Sequence, residues 1–420
     1  MVDRWLSWLW TLGGLAWLAG AGGTVGRATA AFARLPRLSD ARLDAGAAET
    51  GPSVSVVVAA RNEAATLPPA IGSLLASDHR QLEVVAVDDR SSDRTADILD
   101  ELARGEPRLR VLHVGVLPQG WLGKNHALQR GAEAAGGQWL LFTDADVRFA
   151  PEVVRRAVVF AQRAGLDHVT AVPALIAPGP GLRVYMVWML LVFAVWRRPW
   201  QASRPDRRAS AGMGAFNLVR REAYWGVGGH AAIPLALADD VALGCRLKAG
   251  GYRQTLVVAA YGGQAPLLEI QWYPDLRGAV RGFEKNAFAM FRFQPWAVAG
   301  WALTGTGLTV APLVALVLAP GWARLPWAAG YVLTTGSVAY AGRVITGSFP
   351  WLYGLLFPAA QAALGWTVVR SAWIALWRGG VRWRDTFYPL RDLRAADRGP
   401  ARPRRSLRAR QAEDLLAPRH

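Results

Sequence analysis

One cysteine, Cys245, in 420 residues excludes an internal disulfide and any multi-cysteine metal site, and a reducing compartment suits such a chain. Lysine is nearly as scarce: Lys124, Lys248 and Lys285 are the only ones, the rest of the 48 basic residues being arginine. Against 31 acidic residues this leaves a formal net charge of +17. The charge is dispersed and no nucleic-acid-binding motif accompanies it, so nucleic acid is not an expected partner; a basic face toward anionic lipid is. A composition of 52% hydrophobic and 19% charged residues excludes a disordered chain. The mean hydropathy of +0.15 is too low for an all-membrane bundle and high for an ordinary soluble enzyme, which implies a mixture of the two. At about 150 residues per domain the length predicts two or three units.

Trp5 to Val25 is an uncharged apolar and small-residue run, long enough to span about 30 Å of hydrocarbon. Arg27, Arg34, Arg37 and Arg42 follow it, which predicts a cytoplasmic location for what comes next. A cleaved signal peptide is the alternative, disfavoured by the weak positive charge before the run and by its length. Three further runs, Ala297–Pro320, Trp327–Ile345 and Trp351–Trp377, read as C-terminal spans with tryptophans near several ends. A shorter run, Val184–Trp196, reads equally as a helix lying on the membrane or as a buried core helix.

Between residues 52 and 295 the pattern alternates. The β-branched run Val54–Ala60 is of strand length, Glu63–Ala76 has helical spacing, and Leu82–Val87 is strand-like again before Asp88-Asp89. A polar turn then caps a helix from Thr95, and Arg110–Val114, Asn125–Ala135 and Gln138–Thr143 repeat the alternation. Strands alternating with helices predict a mostly parallel sheet covered on both faces, with ligands bound beyond the carboxyl ends of its strands. The acidic clusters Asp88-Asp89 and Asp144-Ala145-Asp146 fall at those ends.

Residues two apart on extended backbone project to the same side, so Asp144 and Asp146 can face one point. Hard oxygen pairs suit Mg²⁺ or Mn²⁺ bridging a diphosphate; an Asp-rich turn capping the next helix is the alternative. Asp239-Asp240 precedes a helix over Val241–Ala249. One carboxylate can cap that helix while the other acts as a general base on an acceptor hydroxyl. Lys124, in Gly120-Trp121-Leu122-Gly123-Lys124-Asn125, opens a helix where backbone N–H groups and a lysine attract phosphate. The spacing is not that of a P-loop.

Taken in order, Ala60-Arg61-Asn62-Glu63, Asp88-Asp89-Arg90-Ser91-Ser92-Asp93, Gly120–Lys124, Thr143–Asp146, Gly212–Phe216, Val227–His230 and Ala238-Asp239-Asp240 make the chain resemble inverting, membrane-associated glycosyltransferases of family 2. The resemblance implies a GT-A fold with N- and C-terminal transmembrane helices, and a nucleotide-sugar donor, uridine diphosphate-linked by analogy. It implies that Ala60, Arg61, Glu63, Asp88, Asp89, Lys124 and Asp144 bind the donor, that Asp146 with Asp144 holds Mg²⁺ or Mn²⁺, and that Asp240, beside Asp239, is the base. The family's Glu-Asp pair is Asp-Asp here, which leaves the choice between the two open. Processive synthases carry Gln/Arg-x-x-Arg-Trp, whereas no tryptophan follows Arg281 here, and the wording is closer to the branch that glycosylates carotenoid or hopanoid-type lipids. His230 is a candidate for assisting the acceptor, and Arg277, Arg281 and Lys285 for meeting acceptor or membrane, or for a solvated helix face. The implied plan is an anchor at 1–30, a catalytic domain at 50–295, a transmembrane region at 296–378 and an Arg-rich, partly disordered tail at 379–420. The implied activity is non-processive transfer of sugar to a lipid acceptor at the cell membrane, in a multi-pass protein with a cytoplasmic catalytic domain. A non-catalytic membrane scaffold and a polysaccharide synthase are the alternatives.

Overall fold

In the computed structural model, which describes residues 2–41, 51–261 and 265–397, the run Val54–Ala60 is strand β1, paired in parallel with β2 (Leu82–Asp89) on one side and β4 (Trp139–Asp144) on the other. β3 (Leu109–Val114) continues the parallel sheet beyond β2. On the far side of β4 come β8 (Asn217–Arg220), antiparallel to both neighbours, then β6 (His168–Val172) and β9 (Gln254–Val258), giving the order β3-β2-β1-β4-β8-β6-β9. A small second sheet joins β5 (Val147–Phe149), β10 (Leu268–Ile270) and β7 (Ala174–Leu175).

The strands read as continuous apolar runs because both faces are covered. Along β1, Val56 and Val58 join a core with Leu67, Ile71 and Leu74 of α3 (Leu67–Leu75), Leu99 of α4 (Thr95–Arg104) and Ala157 of α6 (Val153–Arg163). Val57 faces the opposite core, with Ala127, Leu128 and Ala132 of α5 (Gly123–Ala134), and Tyr224 and Leu243 from the helices α8 (Arg221–Gly226) and α9 (Asp239–Ala249). This is the period-two alternation of a strand serving two layers. The expected α/β architecture with a mostly parallel sheet is therefore present.

The register places the site. Ala60 pairs with Asp88, and Ala59 with Asp144, so three strand ends and their acidic residues meet at one sheet edge. Strand spacing of about 4.8 Å brings these groups within reach of one ligand.

Outside the sheet, α7 (Pro180–Arg197) buries Val184 to Met189 and bonds to a C-terminal helix, so it is built into the interior. α10 (Leu276–Met290) leads into α11 (Pro295–Leu318), α12 (Leu325–Thr346), the short α13 (Trp351–Gly354) and α14 (Phe357–Trp377). The expected single N-terminal span is instead α1 (Val2–Trp17), a π-helical turn over Leu18–Gly22, and α2 (Gly23–Ala33). The turn falls in the glycine-rich stretch and is closed by Gly23 N–H donating to the Leu18 carbonyl. Trp17 donates to the Leu308 carbonyl at 2.7 Å and Trp327 to that of Trp10 at 2.9 Å, joining the two ends of the chain. Among the described residues two helices, α7 and α11, are long and apolar enough to cross a membrane. Residues 379–397, expected to begin a tail, form a hairpin of β11 (Gly380–Trp383) and β12 (Thr386–Pro389), then α15 (Leu390–Asp397). The basic run 402–410 lies outside the described residues.

Candidate active site

The loops after β1 and β2 are stitched together by the polar residues of their motifs. Asn62, held at a positive φ of 55°, accepts from Ser92 N–H at 2.8 Å, while its own N–H donates to Ser91 Oγ at 3.0 Å. Glu63 N–H donates to Thr95 Oγ1 at 2.8 Å and Ala64 N–H to Asp93 at 3.2 Å. Both loops are thereby fixed over the carboxyl ends of the strands.

Asp88 and Asp89 belong to strand β2, and consecutive strand residues point to opposite sides. Asp89 lines a cleft, where Arg90 engages it with two hydrogen bonds at 2.7 and 3.0 Å and Arg61 lies 4.0 Å away. Asp88 does not line it; its carboxylate accepts from Ser91 N–H at 3.2 Å and lies 3.5 Å from His113. Gly123 lines the cleft too, and a side chain there would strike the Asp89 carboxylate and Arg90.

Lys124 is the electrostatic hub. Its ammonium is 2.7 Å from Asp144 and 3.3 Å from Asp239, so one cation joins a strand end to the first turn of α9. Burial alone would disfavour the charge, but Asp144, Asp239 and Asp240 hold the lysine well above its usual range. Neighbouring Asn125 is fully buried and donates to the carbonyls of Ile233, Pro234 and Ala236, fixing the loop that delivers Asp239 and Asp240. Helix capping is not the role of that doublet: α9 is entered through Ala238 without a side-chain cap. Asp239 is held by Lys124 and lies 4.0 Å from His230. Among the described residues no cation lies within ion-pair distance of Asp240, which lines the cleft; burial and Asp239 push its carboxyl up to about 6. His230 does not reach the cleft. It is buried, bonded to Tyr224 at 2.9 Å, and burial lowers it to about 4.

Asp144 and Asp146 both line the cleft. Asp146 Oδ1 is buried without a hydrogen-bond partner among the described residues, and burial, Asp144 and Glu63 push its carboxyl up to about 7. An orphaned carboxylate oxygen beside a second carboxylate fits a divalent cation, which needs only one or two protein ligands when phosphate and water supply the rest. Gly214 permits this arrangement, since a Cβ there would lie 2.7 Å from Asp144 Oδ2.

The cleft, about 480 Å³, is two-sided. Its polar side carries Ala60, Arg61, Glu63 and the carboxylates above. Its apolar side comes from Met189, Phe193, Phe283, Phe291, Trp301 and Leu364, on or beside α7, α10, α11 and α14. Of the basic residues expected on α10, Lys285 lines the cleft, whereas Arg277 and Arg281 are exposed on its outer side. Lys285 sits 4.2 Å from the Trp383 ring centroid; burial and the cations Lys124 and Arg384 push it down to about 8. Sequence reasoning missed Asn125, Trp272, Tyr273, Asn286 and the hairpin residues Trp383, Arg384 and Tyr388. Only Asn125 carried a signal, as the residue that ends the Gly120–Lys124 motif.

The sequence profile of Glycosyl transferase family 2 matches residues 55–228. The chain is 36% identical over 113 residues to the 4,4'-diaponeurosporenoate glycosyltransferase of Staphylococcus haemolyticus, covering 26% of this chain and 28% of that protein. It is 36% identical over 126 residues to the undecaprenyl-phosphate 4-deoxy-4-formamido-L-arabinose transferase of Pectobacterium carotovorum (29% and 37% covered), and 36% over 114 residues to the beta-monoglucosyldiacylglycerol synthase of Trichormus variabilis (27% and 24%). The chain thus spans between a quarter and two fifths of the length of these relatives. Among solved structures, the mannosyltransferase PcManGT of Pyrobaculum calidifontis, in complex with GDP-Man and Mn²⁺, aligns at 21% identity and a TM-score of 0.49, over 89% of this chain and 99% of that one. Residues 55–228, which carry the Asp89, Lys124, Asp144 and Asp146 positions of the cleft, are a glycosyltransferase family 2 domain.

Proposed function

We propose that this protein is a glycosyltransferase that moves a sugar from a nucleotide sugar, by analogy a uridine diphosphate sugar, to a lipid acceptor held in the bilayer. Transfer is non-processive and inverts the anomeric carbon. The observation that carries the reading is the single cleft in which the polar strand ends face an apolar wall built from α7, α10, α11 and α14. The named relatives act, by their names, on a carotenoid acid, on undecaprenyl phosphate and on a diacylglycerol. That shared lipid character supports the acceptor class.

In this reading the nucleoside end meets Arg61 and Asp89, and the diphosphate approaches Lys124 at the start of α5. Asp144 and Asp146 would hold Mg²⁺ or Mn²⁺, which supplies positive charge to the departing diphosphate when bound. Asp239 is committed to Lys124, which leaves Asp240 as the base: its carboxylate takes the proton of the acceptor hydroxyl while that oxygen attacks the anomeric carbon opposite the diphosphate. His230 supports Asp239 from below and does not touch substrate. The apolar surface of α11 and its neighbours supports multi-pass insertion, and in this reading the cleft faces the cytoplasm, where nucleotide sugars are made.

The test is to incubate membranes containing the protein with a panel of radiolabelled sugar nucleotides and extract lipid. Label in the organic phase is expected with one donor, and Asp240→Asn is expected to lower its rate on the order of 10³-fold with nucleotide binding retained. Near-normal turnover of that variant would remove Asp240 from the role of base.

A further inference from the structure

The hairpin β11–β12 begins three residues after α14 ends, more than 150 residues beyond the family 2 domain, yet it reaches across to that domain's first motifs. Its register pairs Trp383 with Thr386, leaving a two-residue turn of Arg384 and Asp385. Arg384 sits at φ 51°, the left-handed conformation that a tight two-residue hairpin turn favours. Both turn side chains are spent on the loop after β1. Arg61 donates to Asp385 at 2.8 Å, and Arg384 donates to Glu63 Oε1 at 2.9 Å. The loop they grip has its own left-handed residue, Asn62, so two tight turns meet face to face. One further tie comes from the first strand, where the Trp383 ring covers the Lys285 ammonium. Trp383, Arg384 and Tyr388 all line the cleft.

Isolated exposed ion pairs hold little together. Three ties from one ten-residue hairpin, two of them made by its turn, are a different matter, and they fall on Arg61, Glu63 and Lys285 rather than on the scaffold. Arg61 in particular is shared: one nitrogen is 2.8 Å from Asp385 while another is 4.0 Å from Asp89. Without Asp385 the guanidinium has a short stem of contacts on one side only and can fold onto Asp89.

We propose that the hairpin is part of the donor site, with Asp385 and Arg384 acting as positioning residues that hold Arg61 and Glu63 in the geometry that receives a nucleoside diphosphate. This rests on the donor assignment proposed above. It also makes the donor site depend on a segment delivered by α14, so the family 2 domain is incomplete without it.

The test uses the full-length protein in detergent, titrated calorimetrically with uridine, guanosine and thymidine diphosphates in Mg²⁺, the tightest of the three then serving as probe. Asp385→Asn is expected to weaken binding about fivefold, the upper end for an exposed pair, with its melting temperature unchanged because Asp385 is largely exposed. Asp385→Glu is expected to restore binding to within about twofold, and Asp385→Asn to add nothing in an Arg61→Ala background, as residues acting through one group do. In turnover assays the donor KM rises and kcat at saturating donor holds. Wild-type binding with an unchanged Asp385→Asn variant would overturn the hairpin's role alone. A loss that persists in full on the Arg61→Ala background would overturn its action through Arg61. Silence of the wild type toward all three nucleotides would overturn the donor assignment, and the hairpin proposal with it.

Discussion

Replacing Lys124 by methionine removes the ammonium that sits 2.7 Å from Asp144 and 3.3 Å from Asp239 while keeping most of the side-chain volume. At an effective dielectric of about 20, Coulomb attraction over these distances is about 5–6 kcal/mol per contact. Much of that is cancelled by the cost of desolvating the charges, and removing one partner of a buried pair typically costs about 3–5 kcal/mol. Lys124 and Asp144 are each about a quarter exposed, which lowers the expectation to about 2–3 kcal/mol at pH 8. The penalty has a sign in pH. Asp146 and Asp240 already titrate near 7 and 6, above the ordinary carboxyl value, so their ionised forms cost stability above those values and the cost fades as pH falls through them. Without Lys124 these values rise further. The difference between wild type and variant should therefore be largest at pH 8 and shrink to under about 1 kcal/mol at pH 5.5, where protonated carboxyls need no cation. Denaturant melts of both proteins in detergent at the two pH values measure it. A penalty equal at both pH values, or absent at pH 8, would show that Lys124 does not neutralise this cluster.

Three further outcomes are expected. His168 is fully buried against Asn217 and burial lowers it to about 4, so the wild type should keep its full stability above pH 6.5 and lose about 2 kcal/mol by pH 5 relative to His168→Gln; parallel melts of the pair with no pH-dependent gap would refute this. Gly214→Ala places a Cβ 2.7 Å from Asp144 Oδ2 and should lower turnover about 10²-fold, whereas Gly72→Ala, with nothing within 4 Å, should leave it unchanged; equal rates for the two would dismiss the close approach at Gly214. Leu303 is 76% exposed on α11, so in a Cys245→Ser background Leu303→Cys should resist a membrane-impermeant maleimide in inside-out vesicles until detergent is added, while Glu101→Cys on α4 reacts at once; equal labelling would take α11 out of the bilayer.

Much of this architecture was legible because it depends on local pattern. Val54–Ala60 and Gln138–Thr143 read as strands since both their faces are buried, and that requires unbroken apolar sequence. The acidic residues were found by their position after those runs. One boundary mattered: the strand expected to end at Val87 runs on to Asp89, which turns Asp88 away from the cleft and leaves it holding the Ser91 turn. The N-terminal run was read as one span because glycine is neutral in a hydropathy count, while the packing of Gly22 against Gly330 requires a partner some 300 residues away. The hairpin was illegible for the same reason. Nothing near Arg384 or Asp385 announces a turn, and both of their partners lie more than 300 residues earlier.

The three doublets that looked alike in sequence differ because their backbones differ. On a strand, adjacent residues face opposite ways, so Asp88-Asp89 yields one ligand-facing carboxylate and one that braces a turn. Separated by one residue at a strand end, Asp144 and Asp146 both turn to the cleft; Lys124 neutralises Asp144, while burial and the Asp144 charge push the Asp146 carboxyl up to about 7. In the first turn of a helix, neighbours are about 100° apart, so Asp239 swings to Lys124 while Asp240 looks into the cleft, where Lys124 acts on it only at longer range. A base must be ionised and unpaired to accept a proton; of these six carboxylates Asp146 and Asp240 line the cleft outside the ion pairs found among the described residues, and with Asp146 proposed for the metal, Asp240 is left as the base. Asp239→Glu should therefore retain the Lys124 contact and most of the activity, whereas Asp240→Glu, which pushes the carboxylate about one bond further into the cleft, should lose about 10²-fold in turnover. Measured side by side, the reverse ranking would assign the base to Asp239.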